Sequence, residues 1–173
     1  MPRTIVTYPN PVLAKKAAPV TEITDEIRAL AAEMIELMYA DKGIGLAAPQ
    51  VAESIRLITV DLSGPEKRED PRVFVNPVLS NLEGEVESEE GCLSVVGYRS
   101  TVTRAERLHL SATDLDGNPV EMDADDLMAI CLQHEVDHLD GVLFIDKISK
   151  LKRTLYERKL KKWLKEKKEK EQA

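Results

Sequence analysis

The sequence has little with which to staple or anchor itself. Two cysteines, Cys92 and Cys131, occur in 173 residues. An isolated pair in a chain of this length is poor ground for a disulfide framework and fits a reducing, cytoplasmic compartment better. Aromatic residues make up only 4%, so Leu, Ile, Val and Ala must build the core. Long apolar runs are also missing. The longest, Leu127 to Leu132, falls far short of the roughly 20 residues that span a bilayer. The opening Met1-Pro2-Arg3-Thr4, leading into Ile5-Val6-Thr7-Tyr8-Pro9, is too short and polar for the apolar stretch of a signal peptide. No membrane partner is expected.

What remains is ordinary for a globular chain: 43% hydrophobic and 32% charged residues. A chain of this size buries about two-thirds of its unfolded surface and holds a core without staples. The net charge of −7 conceals an asymmetry. Residues 150–173 carry 11 basic against 4 acidic side chains, a balance of +7, and residues 1–149 carry 13 against 27, a balance of −14. A body of residues 1–149 and a basic helix of 150–173 on the same domain are expected.

The chain divides by its periodicities. Pro9, Pro11 and Pro19 make the first 20 residues largely extended. Thr24 should cap a helix over about 25–41, with Ile27, Leu30, Ala31, Met34 and Met38 on one face. The run Gly43-Ile44-Gly45-Leu46-Ala47-Ala48-Pro49-Gln50 reads either as a helix end entering a buried turn or as backbone made for close approach to a ligand. Strands are expected over 55–60, in pieces at 73–75 and 78–79 broken by Asn76-Pro77, and from Leu82 through Val86 towards Ser94. Residues 107–113 alternate with Leu108, Leu110 and Ala112 inward, and Asp116-Gly117 turns them into Val120-Glu121-Met122. His109 then faces solvent and is not expected to be a ligand.

Asp123 is the expected cap of a helix over about 124–139, whose stripe reads Leu127, Cys131, His134, His138, with Ile130 alongside. Within it, His134-Glu135-Val136-Asp137-His138 sets two imidazoles at i and i+4 on one face, able to grip one metal ion, with Glu135 between them to serve a water. As core histidines they would each need a buried partner instead. A catalytic site wants a third protein ligand and one open position. A downstream His-x-x-Gly-x-x-His ligand is ruled out, because His138-Leu139-Asp140-Gly141-Val142-Leu143 runs into Phe144. Glu157 stands among lysines and reads more simply as the partner of Lys161. Cys92 is the stronger candidate, since a soft thiolate on a strand can meet a helix. Cys131, already on that helix, competes with it. Lys150 to Lys170 is helix-prone, with Leu151, Leu155, Tyr156, Leu160, Trp163 and Leu164 as a stripe expected to dock on the body.

Three blocks, Gly43 to Gln50, Glu90-Gly91-Cys92-Leu93-Ser94 and Gln133 to His138, taken in this order and spacing, resemble the signature blocks of the bacterial peptide deformylases, over about residues 3–165. The resemblance implies an α+β fold, with antiparallel sheets around a central metal-binding helix and with an N-terminal and a C-terminal helix. It implies hydrolysis of the formyl group from the formylmethionine of nascent polypeptides. It makes Cys92, His134 and His138 the metal ligands, Glu135 the acid and base, and Gln50 with the Leu93 N–H the oxyanion donors. Gly43, Ile44, Gly45, Gly91 and Arg99 fall on the substrate side, and Leu127, Ile130 and Cys131 wall an apolar pocket. The implied cofactor is one divalent ion, Fe(II) in the active form, with Zn, Ni or Co accepted. A ribosomal RNA partner for the basic helix and a monomeric state complete the expectation. Val96 and Thr103 replace prolines frequent in the family, which places loop geometry in question rather than chemistry. Two other classes compete: a zinc endopeptidase using Glu157, and a non-enzymatic module with a closed metal site.

Overall fold

The computed structural model describes residues 2–172. Helix α1 (Asp25–Ala40) begins where expected, and the Thr24 side chain accepts the Ile27 N–H at 3.3 Å. Strands β1 (Gly45–Ala47) and β2 (Leu57–Val60) follow, then a single-turn helix α2 (Gly64–Lys67). Strands β3 (Arg72–Glu83), β4 (Val86–Cys92), β5 (Val95–Arg104), β6 (Arg107–Thr113) and β7 (Pro119–Asp125) lead to helix α3 (Asp126–Leu139) and the C-terminal helix α4 (Lys150–Gln172). Five strands pair antiparallel in the order β1-β2-β3-β6-β7, and β4 pairs with β5 in a second sheet.

The five-stranded sheet lies between two helices, and period-2 alternation sorts its side chains. Ala47, Ile58, Val60, Phe74 and Leu110 face α3, where they meet Ala129, Leu132, Val136 and Leu139. Their neighbours Leu46, Leu57 and Val75 face α1. Both faces of β2 are therefore buried. Leu110, Leu132 and Leu139 are fully buried, each contributing about 1.5–3 kcal/mol. A third core joins Val95 and Val102 of the small sheet to Phe144, Ile145, Tyr156 and Leu160.

Several elements depart from the sequence expectation. The pieces at 73–75 and 78–79 belong to one strand, β3. Asn76 takes φ +51° and the register shifts there, so the chain bulges instead of breaking. The strand expected from Leu82 through Val86 is cut by a turn at Gly84, whose φ of +73° favours glycine. Helix α3 starts after Asp125, because the β6–β7 ladder continues to the Arg107–Asp125 pair. Asp123 consequently pairs with His109 rather than capping.

The stripe of α4 docks only in part. Tyr156 and Leu160 are buried, whereas Leu151 and Leu155, on another face of the helix, and Trp163 and Leu164, beyond the docked turns, are exposed. Among the described residues, no helix is long and apolar enough to cross a membrane.

Candidate active site

Helix α3 and strand β4 meet over a cleft of about 810 Å³. Every substrate-side residue expected from the sequence lines it: Gly43, Ile44, Gly45, Gly91, Arg99, Leu127, Ile130 and Cys131. Leu127 is half exposed at one end of this wall, and Cys131 is buried within it. A side chain at position 45 would place its Cβ 2.8 Å from Glu135 Oε2 and 2.9 Å from Cys131 Sγ. Only glycine lets β1 approach α3 this closely.

Within the cleft, ligand atoms of Cys92, His134 and His138 lie within 4.8 Å of one another. Cys92 Sγ is 3.4 Å from His138 Nε2. Among the described residues, neither rival third ligand joins this group. Burial pushes the Cys131 thiol well above its usual range, which disfavours the thiolate a metal needs. Glu157 accepts the Tyr8 hydroxyl at 2.7 Å and the Arg153 Nε–H at 3.2 Å, so its partners are these rather than Lys161. His109 lies on the outer face of β6, held by Asp123 and Glu121.

A buried ionic chain stands behind His134. Its Nδ1 lies 2.9 Å from Glu90 Oε1, and Arg104 donates to both Glu90 oxygens at 2.8 and 2.7 Å. Arg104 also reaches Asp137 at 2.6 Å. Burial opposes the Glu90 charge, yet the Arg104 and His134 hydrogen bonds hold it down at about 2. An obligate acceptor there keeps the proton on Nδ1 and frees Nε2 for a metal.

Without a cation between them the two imidazoles diverge: burial lowers His134, but hydrogen bonds to Cys92 and Glu90 raise it to about 10, while burial, reinforced by repulsion from His134, drives His138 well below its usual range. A thiol and two imidazoles are a donor set that fits one late first-row cation, and three protein ligands leave a fourth position open.

Glu135 is the remaining piece. Its Oε1 is 3.9 Å from Nε2 of both histidines, and its Oε2 is buried without a hydrogen-bond partner. Burial raises this carboxyl to about 7, against the pull of His134. Gln50 flanks the other side. Its Oε1 accepts the Ala47 N–H at 2.9 Å, and its Nε2 donates to Ser94 Oγ at 3.1 Å and lies 3.7 Å from Cys92 Sγ.

The model of the polypeptide deformylase family matches residues 2–154, which include all three blocks around this cleft. The chain belongs to the polypeptide deformylase family. It is 51% identical over 162 residues to a peptide deformylase of Acidobacterium capsulatum, covering 94% of this chain and 95% of that one. The solved peptide deformylase of Legionella pneumophila superposes with a TM-score of 0.89 at 41% identity, covering 96% and 98% of the two chains. That of Synechococcus elongatus, solved in complex with actinonin, gives 0.84 at 39% identity, covering 88% and 83%. Deformylases are metal-dependent enzymes that remove the formyl group from formylated nascent peptides, and the Cys92, His134 and His138 group is where this one can hold a metal.

Sequence reasoning gave no role to four deformylase residues beside this cleft. Ser94, fully buried, holds Gln50 and donates to the Val6 carbonyl at 2.7 Å. Glu90, Arg104 and Asp137 brace His134. Only with β5 in place does Arg104 share a strand face with buried Val102 and so require buried acidic partners.

Proposed function

We propose that this deformylase acts on the N-terminal formylmethionine of nascent polypeptides, in the cytoplasm and as a monomer. Cys92, His134 and His138 hold one divalent ion, iron(II) in the active form, with zinc, nickel or cobalt as substitutes. Residues 1–149 make the catalytic body and 150–173 the basic helix. The observation that carries this reading is Glu135, a buried carboxylate with an unpartnered oxygen, equidistant from both imidazole nitrogens.

When bound, the cation supplies Lewis acidity to the formyl carbonyl and the attacking water. Glu135 takes a proton from that water as its oxygen bonds to the formyl carbon. It then delivers the proton to the amine nitrogen as the carbon–nitrogen bond breaks, leaving formate and a free amino terminus. Gln50 Nε2 and the Leu93 N–H donate to the carbonyl oxygen as negative charge develops there, each contributing about 3 kcal/mol. Strands β1 and β4 each have a partner on one side only, so Gly45 and Gly91 can pair with the substrate main chain as with an added strand, with Ile44 leading into that edge. Arg99 lies over Gly91 at the rim, where it also meets Glu89.

Leu127, Ile130 and Cys131 give the first side chain an apolar wall. Formate should be released rapidly from formylmethionyl, formylleucyl and formylnorleucyl tripeptides and slowly from the formylaspartyl one. Unformylated peptides should stay intact. Equal rates for all four would refute the pocket assignment, and cleavage of internal bonds would favour an endopeptidase.

The basic helix supports a ribosomal partner. Leu151, Leu155, Trp163 and Leu164 are exposed among lysines, an apolar and cationic surface suited to RNA or a ribosomal protein. Because Tyr156 and Leu160 belong to the core, charge reversal tests this more cleanly than truncation. Replacing Lys161, Lys162, Lys165 and Lys168 by Glu should abolish salt-sensitive co-sedimentation with ribosomes and leave formate release unchanged. Undiminished co-sedimentation would remove the helix from this role.

A further inference from the structure

The cleft wall formed by residues 43–45 is the continuation of α1, and one buried residue outside the cleft holds both ends of the segment that leads into it. Tyr39 lies in the last turn of α1, and its hydroxyl donates to Asp61 Oδ2. Ile44 is the first residue of the wall to meet β2, and its carbonyl accepts the Asp61 N–H at 2.8 Å. The side chain of Asp61 thus grips position 39 and its main chain grips position 44. Between them, Lys42 adopts φ +60° and the Gly43 N–H closes on the Met38 carbonyl at 2.8 Å. Among the described residues, no side chain makes a hydrogen bond to this turn.

Asp61 is fully buried. Its second oxygen accepts the Ser63 hydroxyl at 2.6 Å and the Ser63 N–H at 2.9 Å, so both carboxylate oxygens are occupied. Arg68 covers the Tyr39 ring from outside at 4.8 Å. A buried, fully hydrogen-bonded charge costs much desolvation, and apolar packing alone would close this junction more simply. What the charge adds is direction, since it fixes two chain segments at one point.

We propose that Asp61 is a positioning residue for substrate, which staples residues 39–44 so that the edge of β1 is held in register for the main chain of a bound peptide. The inference rests on the reading of β1 as a substrate-pairing edge. Ile44 turns its carbonyl towards β2, so by strand alternation the next residue, Gly45, turns its main-chain groups towards the cleft. Loosening the staple moves that edge relative to β4 without touching the ligand group of Cys92, His134 and His138. Direction in the two partners is consistent with this role. The Asp61 carboxyl is lowered: its hydrogen bonds from Ser63 and Tyr39 overcome burial. Burial and Asp61 push the Tyr39 hydroxyl up to about 12, so it remains a donor.

The test compares two substrates of the metal-loaded enzyme: a formylmethionyl tripeptide, long enough to pair with β1, and formylmethionine alone, which is not. Tyr39→Phe keeps the ring and removes the bond to Asp61. We expect kcat/KM for the tripeptide to fall about tenfold, through KM, with bound metal and the rate on formylmethionine unchanged. Asp61→Asn should give the same split, larger in size. If Asp61→Asn does not fold, Tyr39→Phe carries the test alone. Equal losses on both substrates, or none on the tripeptide, would overturn the staple. A wild-type enzyme inactive on both substrates would instead sink the deformylase reading on which the inference stands.

Discussion

Glu135→Gln should leave a folded protein that keeps its metal and turns over about 10³-fold more slowly. The amide preserves the shape of the side chain but cannot take the proton of the attacking water. Its atoms stand 3.9 Å from the histidine nitrogens, so the ligands lose no support. Stability should hold or rise slightly, because an isolated buried carboxylate is removed from a place that already lifts it to about 7. Turnover measured by formate release, beside metal content measured by atomic emission, decides the matter. Near-normal turnover would end the assigned role. Cys92→Ser provides the contrast, since a hard hydroxyl replaces a soft thiolate. It should lose metal far faster to a chelator than the parent protein does, and unchanged retention would return the search to another third ligand.

Arg104→Ala should have the largest effect on stability, about 3–5 kcal/mol, because removing one member of a buried ionic cluster leaves the others without compensation. Arg104 is 2% exposed in its side chain and bridges Glu90, at 6%, to Asp137. Lys147, 3.6 Å from Asp137, can take over only part of that role. A loss of this size lowers the thermal midpoint by about 10 °C in a protein of this length. Glu90 also orients His134, so metal affinity should fall by about 10- to 100-fold as well. Thermal melts and chelator competition measure the two effects separately. Arg104→Lys keeps the charge but not the two-pronged grip on Glu90 and should recover little of either. A stable Arg104→Ala protein with unaltered metal affinity would show that Glu90 orients His134 without help.

The parts of this fold that could be read from residues were those with a repeating pattern and one buried face. Helix α1 announced itself through Thr24 and its 3.6-residue apolar spacing. Strand β6 did so by alternation of Leu108 and Leu110. Strand β5 went unread because its inward positions, Val95, Ser100, Val102 and Arg104, mix apolar with polar and charged residues. A buried arginine looks like a surface one until its partners are known, and Glu90 and Asp137 lie 14 and 33 positions away. Asn76-Pro77 looked like a strand break. Locally that was sound, but neighbours on both sides of β3 hold the chain in the sheet through the bulge.

From the sequence alone came the two histidines on one helical face, the carboxylate between them, and, through three blocks in order, the family and its reaction. The first two are carried by spacing along one helix, and the family by the order of three local residue patterns along the chain. Tertiary structure decided the rest. It brought Cys92 on β4 to within 3.4 Å of His138 and left Cys131 outside the group that Cys92 forms with the two histidines. It set Glu90 and Arg104 behind His134, and tied the β1 edge to α1 through Asp61. It also showed that the C-terminal stripe is only partly docked. Each of these depends on which residues meet across long stretches of chain, and side-chain periodicity within one element carries no information about distances between elements.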